Sequence, residues 1–72
     1  MIDEKVKNEA IQFLLEELTN KYNIEESKAM AMIKNSVFYS MLVNNDPDAL
    51  YYTTRQWARH IVKKQAKIDK LK

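Results

Sequence analysis

The fold of this chain is decided by the stretch Asn35-Ser36-Val37-Phe38-Tyr39-Ser40-Met41-Leu42-Val43-Asn44-Asn45-Asp46-Pro47, residues 35–47. Ser36 follows an asparagine corner, and its hydroxyl can cap a short helix over residues 37–43. That segment is apolar nearly all round, which is typical of a helix buried at the centre of a bundle. The stretch therefore predicts a short central helix between two polar corners.

The clearest break in the chain follows this helix, at residues 44–48. Asp46 before Pro47 has the form of an N-cap followed by a proline at the first helical position, where a missing N–H is tolerated. We expect a single helical turn at residues 47–50 and an extended segment at residues 50–52.

A longer helix is predicted before this centre, over residues 3–21. Asp3 is its expected N-cap, and Asn20 or Asn23 can end it in place of glycine, which the chain lacks. Apolar residues recur along the segment at helical spacing, and charged residues occupy the other side. The apolar residues are Val6, Ala10, Ile11, Phe13, Leu14, Leu15, Leu18 and Tyr22.

Two further helices are predicted on either side of the central stretch. One begins near Ile24 and Glu25, and its apolar side consists of Ala29, Met30, Met32 and Ile33. The other runs from about residue 54 to residue 69, because Thr53 and Gln56 have the spacing of a capping box. Thr54 is the other candidate cap of this helix. The apolar residues of this last helix are Trp57, Ala58, Ile61, Val62 and Ile68.

These elements predict an all-α fold, a small bundle of three longer helices plus one short helix or helical turn. Residues 1–72 form a single helical domain in this interpretation. The predicted core comprises Phe13, Leu14, Met30, Ile33, Phe38, Leu42, Trp57 and Ile61, and Tyr51 is also expected to be a core residue. A chain of 72 residues without cysteine is expected to have a low free energy of unfolding, because its core is small and it has no disulfides. Oligomerisation remains open as a source of additional stability.

The charge is distributed unevenly along the chain. Residues 55–72 carry seven basic side chains and one acid, a net +6, whereas residues 1–54 carry five lysines and nine acids, a net −4. Most of the cations follow one stripe of the last helix, separate from its apolar face. The predicted partner-binding residues are this stripe and one nearby aromatic residue: Arg55, Arg59, Lys63, Lys67, Lys70 and Tyr52.

Three interpretations of the stripe are open. In the first, the stripe is a solvated face that is partly neutralised by Glu9, Glu16 and Glu17 of the first helix. In the second, it binds an acidic protein surface or a second copy of the chain. In the third, it binds nucleic-acid phosphate. We expect a non-enzymatic protein–protein interaction module, with nucleic-acid binding through the same helix as the alternative.

No catalytic, metal or cofactor site is predicted. Without glycine and cysteine the chain has no phosphate-cradling loop and no thiol nucleophile. His60 has no serine or carboxylate placed to complete a triad with it. The longest apolar run is too short to span a membrane, and residues 1–5 do not form a secretion signal, so the expected location is the cytoplasm.

Part of the chain resembles an uncharacterised family of small helical bacterial proteins, some of which are encoded beside predicted ADP-ribosyltransferase toxins. The resemblance covers about residues 13–61 and is carried by Lys21-Tyr22-Asn23-Ile24, Ala29 to Ile33, Val37-Phe38-Tyr39, Leu42, Leu50, Thr53 and Gln56-Trp57. This chain departs from the family in lacking a glycine before the third helix. The resemblance implies an accessory role in a toxin–antitoxin system or mobile element, as a small regulator or inhibitor.

Overall fold

The computed structural model describes residues 2–70, and Met1, Leu71 and Lys72 lie outside the described residues. The described part contains four α-helices and one 3₁₀ turn. They are α1 (Glu4–Asn20), α2 (Glu26–Lys34), α3 (Val37–Val43), the 3₁₀ turn (Pro47–Leu50) and α4 (Thr54–Lys70). The predicted all-α fold is confirmed. The helices pack into a body of 38 × 23 × 18 Å in which α1 contacts both α4 and α2, and α3 contacts the 3₁₀ turn and α2.

Short polar side chains cap the starts of α1, α3, the 3₁₀ turn and α4, as the sequence predicts, whereas α2 has no side-chain cap. The Asp3 carboxylate accepts the N–H of Lys5 at 2.8 Å at the start of α1. Asp46 accepts the N–H of Asp48 at 3.0 Å at the start of the 3₁₀ turn. Each of these caps supplies an acceptor to an N–H that has no partner within its helix.

Asparagines take the place of glycine at two corners of the fold. Asn23 and Asn45 have φ values of 54° and 59°, in the left-handed region that asparagine tolerates better than most residues. After Asn45, the N–H of Asp46 donates a hydrogen bond to the carbonyl of Met41 at 2.8 Å, which ends α3. The predicted asparagine corners are thus present, with Asn23 rather than Asn20 in the left-handed conformation after α1.

Twelve apolar side chains form the core of the described residues: Leu14, Leu15, Leu18, Ala29, Met32, Ile33, Phe38, Leu42, Ala49, Trp57, Ala58 and Ile61. Three of the core predictions are wrong: Phe13, Met30 and Tyr51, the last of which is described with the site below. Phe13 is 54% exposed, because the apolar arc of α1 is wider than the side that α2 and α4 cover. Met30 is only partly buried, since Ala29, Met32 and Ile33 are the residues of α2 that point inward.

The helix α3 is not the fully buried centre that its composition indicates. Phe38 and Leu42 are buried, one helical turn apart, whereas Val37 and Val43 are about half exposed. A helix of two turns that packs against the core from one side can bury only that side. Because no residue of α3 is charged, its composition does not mark which side faces solvent.

The Ser36 cap gives a first testable prediction. Its buried hydroxyl accepts the N–H of Tyr39 at 3.2 Å and donates to the carbonyl of Ile33. Ser36→Ala should lower the free energy of unfolding by about 0.5–2 kcal/mol because both backbone groups lose this partner. Urea denaturation followed by Trp57 fluorescence measures the change. The exposed Ser40 is the matched control, and Ser40→Ala should change stability by less than about 0.5 kcal/mol; equal effects would contradict the cap.

Candidate functional site

A reciprocal cap fixes the start of α4. The N–H of Thr53 donates to Gln56 Oε1 at 2.9 Å, and the N–H of Gln56 donates to Thr53 Oγ1 at 3.2 Å. This is the predicted capping box, with Thr53 as the cap. Three buried residues then hold one side of α4 against the core: Trp57, Ala58 and Ile61.

The other side of α4 carries a line of cations, which we call the basic row. Its members are Arg55, Arg59, Lys63, Lys67 and Lys70, and all five are exposed. At about 100° and 1.5 Å per residue, they fall within an arc of about 120° and extend about 22 Å along the helix. The structure thus places the five predicted cations on one continuous face. Lys72, which contributes to the charge of residues 55–72, lies outside the described residues.

No carboxylate of α4 lies within this arc. Asp69 is the one acid of α4, and helix geometry places it on the side nearer Val62. Its carboxylate accepts a hydrogen bond from Gln65 at 3.1 Å. The face that carries the basic row therefore contains no acidic side chain of α4.

The acids of α1 do not reach the basic row either. Glu17 forms an ion pair at 3.7 Å with Lys21, the residue that follows α1, and Glu16 accepts a hydrogen bond from Gln12 of α1 at 3.3 Å. Within residues 2–70 no ion pair joins a cation of the basic row to a carboxylate. The first interpretation expected Glu9, Glu16 and Glu17 to neutralise the stripe in part, and among the described residues none of the three forms an ion pair with it.

Tyr52, the sixth predicted binding residue, lies beside the basic row and not within it. Its ring packs edge-on against Trp57 with the centroids 5.4 Å apart, and Tyr51 packs edge-on against Tyr52 at 5.2 Å. Tyr51 is 80% exposed, so its assignment to the core is wrong. The reason is local. Tyr51 has helical φ and ψ of −70° and −40° where an extended segment was expected, and its side chain falls outside the core.

A groove of about 510 Å³ lies where the start of α3 meets α4. We call it the α3–α4 groove, and its lining residues are Val37, Tyr52, Gln56, Trp57 and His60. Two of them, Gln56 and His60, lie one turn apart on α4. Each is followed three residues later by a member of the basic row, so this groove borders the row along one edge.

A second groove, of about 400 Å³, lies between α1 and the start of α4. We call it the α1–α4 groove. The exposed apolar residues that line it are Val6, Phe13, Leu50 and Tyr52. The buried residues of its lining include Leu14, Phe38, Ala49 and Trp57.

Sequence reasoning missed the α1–α4 groove because it assigned Phe13 to the core. The sequence did contain one indication of this groove. Val6 and Phe13 are seven residues apart and share one edge of α1, on the side of Glu9, whereas Leu14 and Leu18 mark the centre of its apolar face.

Two further features of the described residues bear on the site. His60 is exposed, and no three histidine, cysteine, aspartate or glutamate side chains of residues 2–70 come close enough together to hold a metal ion. None of the helices in this range combines the length and apolarity that crossing a membrane requires.

No family model matches this chain, and neither a curated protein nor a solved structure matches it. The resemblance to small helical bacterial proteins therefore stays a prediction. The fold and the site by themselves define a class, that of small all-α domains with one cationic helix face.

Proposed function

We propose that this chain is a non-enzymatic protein-binding module, a small regulator or inhibitor that acts through the basic row of α4. The observation that supports this function is the placement of five exposed cations on one face, with no carboxylate of α4 in the same arc. Packing of the core explains the apolar side of α4. It does not explain a cation at nearly every turn of the opposite side.

An acidic protein surface is the partner that fits this face best. Five cations spread over about 22 Å match the dimensions of a protein interface of standard size, which buries about 800 Å² on each partner. The half-exposed Tyr52 at the border adds the kind of aromatic contact in which interfaces are enriched. Complementary charge of this sort raises the association rate and selects the partner.

Charge reversal at the centre of the basic row tests this proposal. The double variant Arg59→Glu/Lys63→Glu should reduce capture of a specific partner from a lysate of the source organism at least about tenfold, because two attractive contacts become repulsive. Immobilised wild-type and variant proteins are compared by quantitative mass spectrometry of the captured proteins. Circular dichroism shows that the variant is folded.

Lys5→Glu/Lys34→Glu is the matched control, since it makes the same change in net charge at two exposed lysines outside α4. It should leave capture of the partner within about twofold of wild type. If Arg59→Glu/Lys63→Glu captures the same proteins in the same amounts as wild type, the basic row is not the binding site.

Nucleic acid is the alternative ligand for the same face, and titration with labelled duplex and single-stranded DNA and RNA distinguishes it. In the structure Tyr52 packs edge-on against both Tyr51 and Trp57, so its ring is engaged with other rings and less free to stack on a base. Binding at micromolar protein that weakens steeply with salt and is lost in Arg59→Glu/Lys63→Glu would replace the protein partner with nucleic acid.

A further inference from the structure

Apolar surface adjoins one edge of the basic row. The α3–α4 groove contains two apolar side chains that are about half exposed, Val37 and Tyr52. A shallow pocket of about 30 Å³ shares Val37 and His60 with the groove and adds the exposed Ile68. We call the groove and this pocket together the α4 flank. It follows α4 from Gln56 to Ile68, over about 18 Å.

Cations border the α4 flank. Lys64 is exposed and lines the shallow pocket. Lys63 and Lys67 of the basic row follow His60 by three and seven residues, which places them within about 60° of it around the helix. No acid is among the described residues that line the groove or the pocket. The α4 flank therefore combines exposed apolar side chains with a cationic edge.

The charge of the α1–α4 groove is different. That groove is also lined by exposed apolar side chains, but the exposed Glu9 is among its lining residues. Neither lysine nor arginine occurs among the described residues of its lining. An acidic partner is thus attracted to the α4 flank and has no cation to meet in the α1–α4 groove.

The basic row needs apolar contacts beside it to hold a partner tightly. Ion pairs between exposed side chains add little affinity, although they speed association and select the partner. Burial of apolar surface supplies most of the affinity in protein association. The α4 flank is a place where a partner that contacts the basic row can bury apolar side chains at the same time.

We propose that the partner presents an acidic amphipathic helix, with its apolar side chains in the α4 flank and its carboxylates on the basic row. The inference rests on the proposed function, because the same cations bind the partner in both. Residues 2–70 contain no β-strand, so an extended segment finds no sheet edge to pair with. A helix that lies along α4 repeats its side chains every turn, about 6 Å apart, as the basic row does.

A phage-displayed library of random peptides of about 16 residues, long enough for four helical turns, tests the inference by selection on the immobilised protein. Enriched peptides should carry net negative charge and large apolar residues at helical spacing. Synthetic copies labelled with fluorescein should bind with dissociation constants of about 1–100 µM, measured by fluorescence anisotropy.

A matched pair of valine variants locates the bound peptide. Val37→Asp should raise its dissociation constant at least about tenfold, because the change removes an apolar contact and adds a repulsive charge within the α4 flank. Val43→Asp adds the same charge to the same helix at a residue that is 55% exposed and lies outside the α4 flank. It should change the dissociation constant by less than about twofold. Circular dichroism shows that both variants are folded.

The charge-reversed variant Arg59→Glu/Lys63→Glu separates this inference from the proposed function. If it reduces capture of the partner from the lysate whereas Val37→Asp captures and binds peptide like wild type, the basic row binds a protein and the α4 flank does not, so only the inference fails. If neither variant changes capture, both fail.

Three other results would overturn the inference. The first is a selection that enriches no peptide, and the second is enrichment of peptides without an excess of acids. The third is a dimer of this chain, detected by sedimentation equilibrium, that Val37→Asp dissociates, because a second copy would then occupy the α4 flank.

Discussion

Trp57→Ala is expected to lower the free energy of unfolding by about 3–5 kcal/mol. Trp57 is 8% exposed, and its ring lies 5.3 Å from that of Phe38, centroid to centroid. Its indole N–H donates to the carbonyl of Ala49 at 2.8 Å and so ties the 3₁₀ turn to α4. A domain of this length has a total stability of about 4–10 kcal/mol. The substitution therefore removes a large part of it and leaves the variant partly or wholly unfolded near 37 °C.

Urea denaturation followed by far-ultraviolet circular dichroism measures this loss, since the variant has no tryptophan to report by fluorescence. Trp57→Phe is the control, because it keeps an aromatic ring in the core and removes the hydrogen bond to Ala49. It should cost about 1–3 kcal/mol, the penalty of leaving a buried carbonyl without its donor. A loss below about 1 kcal/mol in Trp57→Ala would show that this ring does not hold the 3₁₀ turn to the core.

The second large effect is expected for Leu18→Ala, at about 2–5 kcal/mol of unfolding free energy. Leu18 has no exposed surface and lies in the core at the centre of the apolar face of α1. Its removal leaves a cavity that the surrounding helices can close only in part.

Phe13→Ala is the matched variant on the same helix. Although phenylalanine is larger than leucine, Phe13 is 54% exposed, so its truncation should cost less than about 1 kcal/mol. Both variants are compared by urea denaturation at about 1 µM protein, where self-association contributes least. If Phe13→Ala proves as destabilising as Leu18→Ala, Phe13 belongs to the core and the α1–α4 groove is closed in solution.

Residue types and spacing were enough to predict the elements of this fold. Ser36 and Asp46 can accept N–H groups through short side chains, and those bonds lie within three residues along the chain. Thr53 and Gln56 likewise satisfy each other locally. Caps of this kind depend on sequence neighbours alone, which is why the helix starts were predicted closely.

The core was harder to predict than the helices. The apolar residues of α1 cover more than half of its circumference, and nothing in the sequence shows which part of that arc α2 and α4 will cover. The same ambiguity affects α3, where Val37 and Val43 are as apolar as Phe38 and Leu42 but lie outside. Burial depends on contacts between distant segments, and periodicity along one helix does not contain that information.

The sequence by itself determined the all-α class, the positions of the caps and the presence of a cationic stripe on the last helix. A stripe with a period of four residues follows from helix geometry alone, so no packing is needed to assemble it. Only the tertiary structure decided that, among the described residues, no acid of α1 forms an ion pair with the basic row, and that Phe13, Leu50 and Tyr52 line one groove. Those arrangements depend on how α1, the 3₁₀ turn and α4 pack together, because they join residues that are far apart in the chain and have no local interaction to place them.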